Sequence, residues 1–197
     1  MLALVKPLRT IRRVSQIRQY KDEPVPDDVV DELLELARWT GSSRNGQPWH
    51  FIVVRDKERL RTIAALRPSI NWAAGAPLGI AIVFPPGSGL GEAYDEGRVT
   101  ERLLTGAKLL GYGGGVAWFG EPPLQAEAKR ILGIPEDRHA RQIVMIGRAA
   151  SAKDPRPKGR RAGASRCPSS SATSAGADRR ALNGGGASAP PLVSYSR

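Results

Sequence analysis

Three short apolar runs constrain this chain more than any other feature: Phe51-Ile-Val-Val54, Leu78-Gly-Ile-Ala-Ile-Val-Phe84, and the apolar stretch inside Arg141-Gln-Ile-Val-Met-Ile-Gly147. A run without polar alternation is the pattern of a strand buried on both faces, and helical patterns alternate with these runs, so the chain calls for a layered α/β or α+β fold. Asp27, Asp28 and Asp31 supply acids to a helix N-terminus, where the macrodipole favours them. Val30, Leu33, Leu34 and Ala37 then form one apolar stripe at helical spacing. Asp56–Leu66 reads as a helix with Leu60, Ile63 and Ala64 inward. Asp95–Gly111 reads as the longest helix, with Val99, Leu103, Leu104, Ala107 and Leu110 apolar, and Pro122–Leu132 as another. Lys21–Pro26 reads as an extended connector, because each proline disfavours helix in the residue before it, and Pro85–Gly91 as a loop.

The 197 residues suffice for one well-buried domain. The net charge of +11 is unevenly spread. Residues 1–150 hold 21 Lys/Arg against 17 Asp/Glu, a balance of +4, while residues 151–197 hold nine against two, a balance of +7. The basic excess therefore sits mainly in the tail, which argues against nucleic acid as the partner of the domain. From Ser151 onward the composition turns to Ala, Gly, Ser, Pro and Arg, too poor in large apolar residues to offset its ordering entropy, so a disordered tail is expected. One cysteine, Cys167, offers neither a disulfide framework nor a thiolate metal site. No apolar run reaches membrane-spanning length, and the opening residues lack a signal-peptide pattern. The expectation is a cytoplasmic protein without a membrane segment, in two parts: 1–150 folded, 151–197 tail.

Between the first helix and the first strand lies Thr40-Gly-Ser-Ser-Arg-Asn-Gly-Gln-Pro-Trp-His-Phe51. Hydroxyls and amides beside a large planar ring can hold a flat polar ligand; the same residues are also ordinary turn chemistry, with Trp49 a core residue opening the strand. The run resembles the Pro-Ser-Ser-x-Asn-x-Gln-Pro-Trp segment of the FMN-dependent nitroreductase family, with Gly41 where that family usually has proline. Arg9-Thr-Ile-Arg-Arg-Val-Ser-Gln-Ile-Arg-Gln-Tyr20 reads as a short helix or turn with one basic side, which could be a solvated face. It also resembles that family's Arg-Arg-Ser-x-Arg-x-Tyr/Phe motif. Anchored on Tyr20, Arg18 falls on the motif's last basic residue and Gln16 on its serine, with Ser15 and Arg13 each one step off.

The resemblance covers about residues 9–160. It implies an α+β, nitroreductase-like α-β-α layered fold, a central mixed or antiparallel sheet flanked by helices, and FMN at a homodimer interface crossed by the long helix. It implies that Arg13, Ser15, Gln16 and Arg18 hold the FMN phosphate, with Lys158 and Arg160 in reserve, and that Ser42, Ser43, Asn45 and Gln47 border the ring, often from the partner subunit. Gly114, Gly115 and Val116, in the glycine-rich run Gly111–Gly120, would lie near the flavin. That run lacks the pattern of a phosphate loop. The implied activity is hydride transfer from NAD(P)H through the flavin to a small electron-poor acceptor such as a nitroaromatic or quinone, with no catalytic side chain and no metal. In the family the domain exits through Gly-Tyr-Pro and ends near Arg-Arg-Lys-Pro-Leu-Ser-Glu-Leu-Val. Here the exit is Gly147-Arg148-Ala149, and the codons of Arg166–Ser171, shifted by one base, can encode Pro-Leu-Ser-Glu-Leu-Val, so the tail reads as a frame-shifted terminus.

Two other readings stay open at this level: a protein that binds FMN with little turnover, and a basic nucleic-acid binder driven by the tail. His50 reads as structural and His139 as a solvated surface residue. Asp95, Glu96 and Glu101 read as a solvated helix face with Arg98 and Arg102.

Overall fold

The computed structural model describes residues 5–87, 89–151 and 194–195. Five helices, α1 Val5–Ile11, α2 Asp27–Arg38, α3 Lys57–Ala65, α4 Leu90–Leu109 and α5 Pro122–Leu132, accompany a sheet of β1 His50–Val54, β2 Leu78–Val83, β3 Gly113–Trp118, β4 Gln142–Gly147 and β5 Ser194–Tyr195. The strand order is β3-β4-β2-β1-β5. The first four strands pair antiparallel, and β5 lies parallel to β1 with Ile52 opposite Ser194 and Val53 opposite Tyr195.

All six residues of β2 are buried, and their alternation divides the core in two. Leu78, Ile80 and Ile82 face α2 and α4, joined there by Val144 and Ile146 of β4 and by Leu33, Val99 and Leu103. Ala81 and Val83 face α3 and α5, with Ile143, Met145, Leu60, Ile63 and Leu132. The result is a three-layer α+β sandwich, as the unalternated apolar runs require. Among the described residues no helix is long and apolar enough to cross a membrane.

Helix ends follow local chemistry. The Asp56 carboxylate accepts the Arg59 amide at 3.0 Å, which caps α3 and holds the Asp56 carboxyl below its usual range. Gly133, with φ +69°, closes α5 in the left-handed conformation that glycine adopts without a Cβ clash. At the N-terminus of α4, Glu92 accepts the Gly89 amide at 2.8 Å, so this helix starts at Leu90, five residues before the position expected at Asp95.

The larger departures are at the glycine-rich run and before β2. Gly113–Trp118 is an edge strand in full register with β4, although three glycines have low strand propensity. Pro68–Gly75 forms a 3-10 turn that the sequence did not announce. Apart from Ser151 and the two residues of β5, the tail, with its suspected shift of frame, lies outside the described residues.

Candidate functional site

After α1 the chain lies along the free edge of β3. Gln16 bridges Gly114 in parallel, the Ile17 amide donates to the Gly114 carbonyl at 2.8 Å, and the Val116 amide donates to Gln16 Oε1 at 3.1 Å. Four of the expected residues, Gln16, Gly114, Gly115 and Val116, are thereby brought together. What the glycines admit is the chain itself. A Cβ on Gly115 would stand 2.5 Å from the Ile17 carbonyl oxygen and 2.8 Å from the Trp72 ring, and one on Gly114 would stand 2.7 Å from Leu104.

Ser15 and Ile17 line a cleft of about 150 Å³ with Leu104, Lys108, Tyr112 and Gly114. Arg13 and Ser15 are exposed. Among the described residues, Arg9, Arg12 and Arg13 form no ion pair, so this end of the molecule carries uncompensated cations. Arg18 instead lies with its guanidinium 5.7 Å from the centre of the Trp72 ring, on which Tyr20 is stacked at 6.4 Å. Lys108 gave no signal in the sequence beyond its place in the last turn of α4.

The second group of expected residues forms a strained loop. Ser43–Asn45 makes one 3-10 turn, in which the Gly46 amide donates to the Ser43 carbonyl at 3.1 Å. The Gln47 amide donates to Ser42 Oγ at 2.7 Å. Arg44, Asn45 and Gln47 have φ of 53°, 53° and 42°, a left-handed conformation that costs a non-glycine residue energy and that clusters at ligand sites. Trp49 behind the loop is fully buried in the α2/α4 core. Among the described residues, its indole Nε1 and the buried hydroxyl of Thr40 have no hydrogen-bond partner.

The loop is tied to the first half of α4. Asp95 Oδ2 accepts the Ser43 amide at 3.3 Å while Asp95 Oδ1 pairs with Arg98 Nη1 at 3.3 Å. Arg98 also lies over Gly41, where a Cβ would be 3.0 Å from Nη2. One turn later, Arg102 Nη1 donates to the Trp39 carbonyl at 2.7 Å.

These contacts correct the solvated-face reading of α4. Asp95 and Glu96 are 6% and 4% exposed. Asp95 is turned inward by the Ser43 amide, and Glu96 by Arg141, whose Nη1 is 3.1 Å from Glu96 Oε2. Burial pushes the Glu96 carboxyl above its ordinary range, against the opposing pull of Arg141. Glu101 alone of the three stays exposed. Nor is His139 simply a solvated residue: half-buried, it exchanges backbone hydrogen bonds with Phe84. His50 opens β1 opposite Val83. Lys158 and Arg160 lie outside the described residues.

Within one chain the two groups stand apart. The loop is fastened to Asp95 and the cleft is lined by Lys108; thirteen residues of α4 separate them, about 20 Å at 1.5 Å per residue. The cleft alone is also well below the roughly 300–1,000 Å³ of sites that enclose small molecules.

Comparison with known proteins gives concordant likenesses. The model of the nitroreductase family matches residues 11–75, which take in Arg13–Arg18 and the Ser42–Gln47 loop. An Archaeoglobus fulgidus protein named as an NADH dehydrogenase/NAD(P)H nitroreductase is 30% identical over 154 residues, covering 75% of this chain and 87% of that protein. An FMN reductase [NAD(P)H] of Bacillus subtilis is 40% identical over 62 residues, 32% of this chain and 25% of that protein. The solved structure of an FMN-dependent nitroreductase from Clostridium difficile superposes with a TM-score of 0.69 over 75% of this chain and 90% of that one, at 24% identity.

Proposed function

This chain belongs to the nitroreductase family, and from that premise we propose that it is an FMN-dependent oxidoreductase that uses NAD(P)H to reduce an electron-poor acceptor such as a nitroaromatic or a quinone. The observation that carries the reading is the separation of the two residue groups along α4. Pairing two copies with their α4 helices antiparallel would bring the Ser42–Gln47 loop of one beside the Ser15–Lys108 cleft of the other. A two-fold axis makes two such sites at once. Exposed Leu90, Tyr94 and Leu109 at the two ends of α4 provide apolar surface for that contact.

The residues present fit a flavin nucleotide. Arg13, Ser15 and Lys108, with Arg9 and Arg12 beside them, would hold the phosphate; Gln16 ties the segment that carries Ser15 to the edge of β3, and Arg18 packs its guanidinium over the Trp72 ring. Ser42, Ser43, Asn45 and Gln47 would border the ring, offering hydroxyls and amides around a turn already held in a strained conformation. Bound FMN would supply the two-electron chemistry, with hydride entering from NAD(P)H and leaving to the acceptor. The protein's part is to compensate the phosphate charge, fix the ring edge through the loop and leave one face open to alternating reactants. No side chain needs to donate or accept a proton for the hydride step itself.

The test is an absorbance spectrum after adding FMN, followed by anaerobic NADH or NADPH and by sedimentation of the flavin-bound protein. A flavin band that bleaches, in a particle of two chains, is the expected result. A bound flavin that stays oxidised would reduce the protein to an FMN carrier, and a flavin-loaded monomer would remove the shared site.

A further inference from the structure

We infer that the cavity at the Trp118 end of β3 is a subsite for a planar ring bearing a primary carboxamide, the nicotinamide of the reductant, and that Arg67 and Glu121 read the oxygen and the NH2 of that amide. The inference rests on the oxidoreductase reading above and deepens it. The cavity measures about 400 Å³ and is lined by Arg67, Pro68, Ser69, Trp118, Glu121 and Leu124. That size falls within the roughly 300–1,000 Å³ of sites that enclose small molecules. Its walls come from the turn after α3 and from the start of α5, the layer opposite α4, so the pairing of α4 helices does not draw on them. Trp118 and Gly114, which borders the Ser15–Lys108 cleft, are four residues apart on one strand, about 13 Å at 3.3 Å per residue, so the two sites share a sheet edge.

Backbone contacts fix the chain at this cavity. The Phe119 amide donates to the Arg141 carbonyl at 2.9 Å, Gly120 turns the chain at φ +107°, and Gln125 Nε2 holds the Gly120 carbonyl at 2.7 Å. The Arg67 guanidinium lies 5.0 Å from the centre of the Trp118 ring. Stacking occupies a face of the guanidinium and leaves its in-plane N–H donors for a ligand. Glu121 is the N-cap of α5 and makes no side-chain cap, which leaves its carboxylate to the cavity. Among the described residues neither Arg67 nor Glu121 enters an ion pair, although both line the one cavity. A donor and an acceptor that do not satisfy each other suit a group that is both, and a carboxamide offers its oxygen to the first and its NH2 to the second. A carboxylate offers no donor and would meet Glu121 as a like charge. Nor does the helix start favour an anion, since Pro122 and Pro123 remove two of its amide donors. Trp118, 45% exposed, and Leu124 supply apolar surface for the ring.

The experiment is calorimetry of nicotinamide against nicotinate on the FMN-loaded protein and on its Glu121→Gln and Arg67→Ala variants. Reduction of the flavin by NADH against reduced nicotinic acid adenine dinucleotide is the kinetic counterpart. Nicotinamide is expected to bind about 10-fold more tightly than nicotinate, the size of one charge-assisted hydrogen bond at a partly exposed site. Glu121→Gln, an exposed and nearly isosteric change, should bring that ratio to about one by admitting the acid, and Arg67→Ala should weaken nicotinamide about 10-fold. Nicotinate bound as tightly as nicotinamide by the unaltered protein, a ratio that Glu121→Gln leaves unchanged, or full nicotinamide affinity in Arg67→Ala would overturn the inference. If NAD(P)H leaves the bound flavin oxidised, the oxidoreductase reading fails by itself, and the calorimetry still decides the cavity. If the flavin bleaches while nicotinamide fails to bind, the subsite alone is wrong.

Discussion

The two ends of α4 hold their site residues by opposite means. At the Lys108 end the backbone does the holding: residues 16–17 bond to an edge strand whose glycines leave no gap for anything else. At the Asp95 end side chains do it: the buried Asp95 carboxylate takes the Ser43 amide and Arg102 holds the Trp39 carbonyl at the entry of a loop with three left-handed non-glycine residues. The first is stiff because its hydrogen bonds belong to the sheet. The second is strained, and its conformation depends on contacts from a helix far away in sequence. The contrast teaches that a segment can be held by joining a sheet or by hanging from a neighbouring helix, and that only the second depends on a few side chains.

Gly115→Val should produce the largest effect on this contrast. Its Cβ would meet the Ile17 carbonyl and Trp72, and the branched side chain would prise residues 15–18 off β3, at a cost of about 3 kcal/mol by denaturant unfolding. Weakened FMN binding should accompany it; unchanged stability would show that the N-terminal segment is not seated on the strand.

Asp95→Ala comes next. It leaves the Ser43 amide without its acceptor and frees Arg98, and should cost about 2 kcal/mol. Unlike the glycine substitution, it should raise the KM of the acceptor more than it weakens FMN binding. If both variants weaken FMN binding alike, the two ends do not differ in the way described.

Arg44→Gly should act in the other direction, relieving left-handed strain and stabilising the protein by about 0.5–1 kcal/mol. Thermal unfolding reads the gain, and slower turnover is expected beside it because the loop loses its fixed shape.

Glu96 gives the smallest and only pH-linked effect. With its folded carboxyl raised by burial, the native state binds its proton more tightly than the unfolded chain. The stability it contributes is therefore fullest below the ordinary glutamate range and declines as pH rises through that range to the raised folded value. Across that interval the melting temperature of the natural protein should fall relative to that of Glu96→Gln as pH rises.

The sequence made the layers legible where burial and period agree. β2 is buried along its whole length, and the stripe Val30, Leu33, Leu34, Ala37 is buried as its spacing requires. β3 escaped because its register is secured by partners rather than by propensity: the glycines are demanded by Ile17, Leu104 and Trp72, none of which is adjacent in sequence. The same distance hid Asp95 and Glu96. On a helical wheel each pairs plausibly with a nearby arginine, whereas the contacts that draw them inward come from Ser43 and Arg141, 52 and 45 residues away. The loop itself was recognisable from its residue types, but the packing of Arg98 against Gly41 was not, since a missing Cβ says nothing about which side chain uses the room.

The strip of chain at Gln16 and Ile17 has one more consequence, concerning solubility. An edge strand with glycines and an open row of amides and carbonyls is a template for pairing with a foreign chain. By occupying the Gly114 carbonyl and the Val116 amide, these two residues act as a gatekeeper against edge-to-edge aggregation. The basic segment thus protects the half-made sheet from its neighbours in a crowded solution, before any ligand is present.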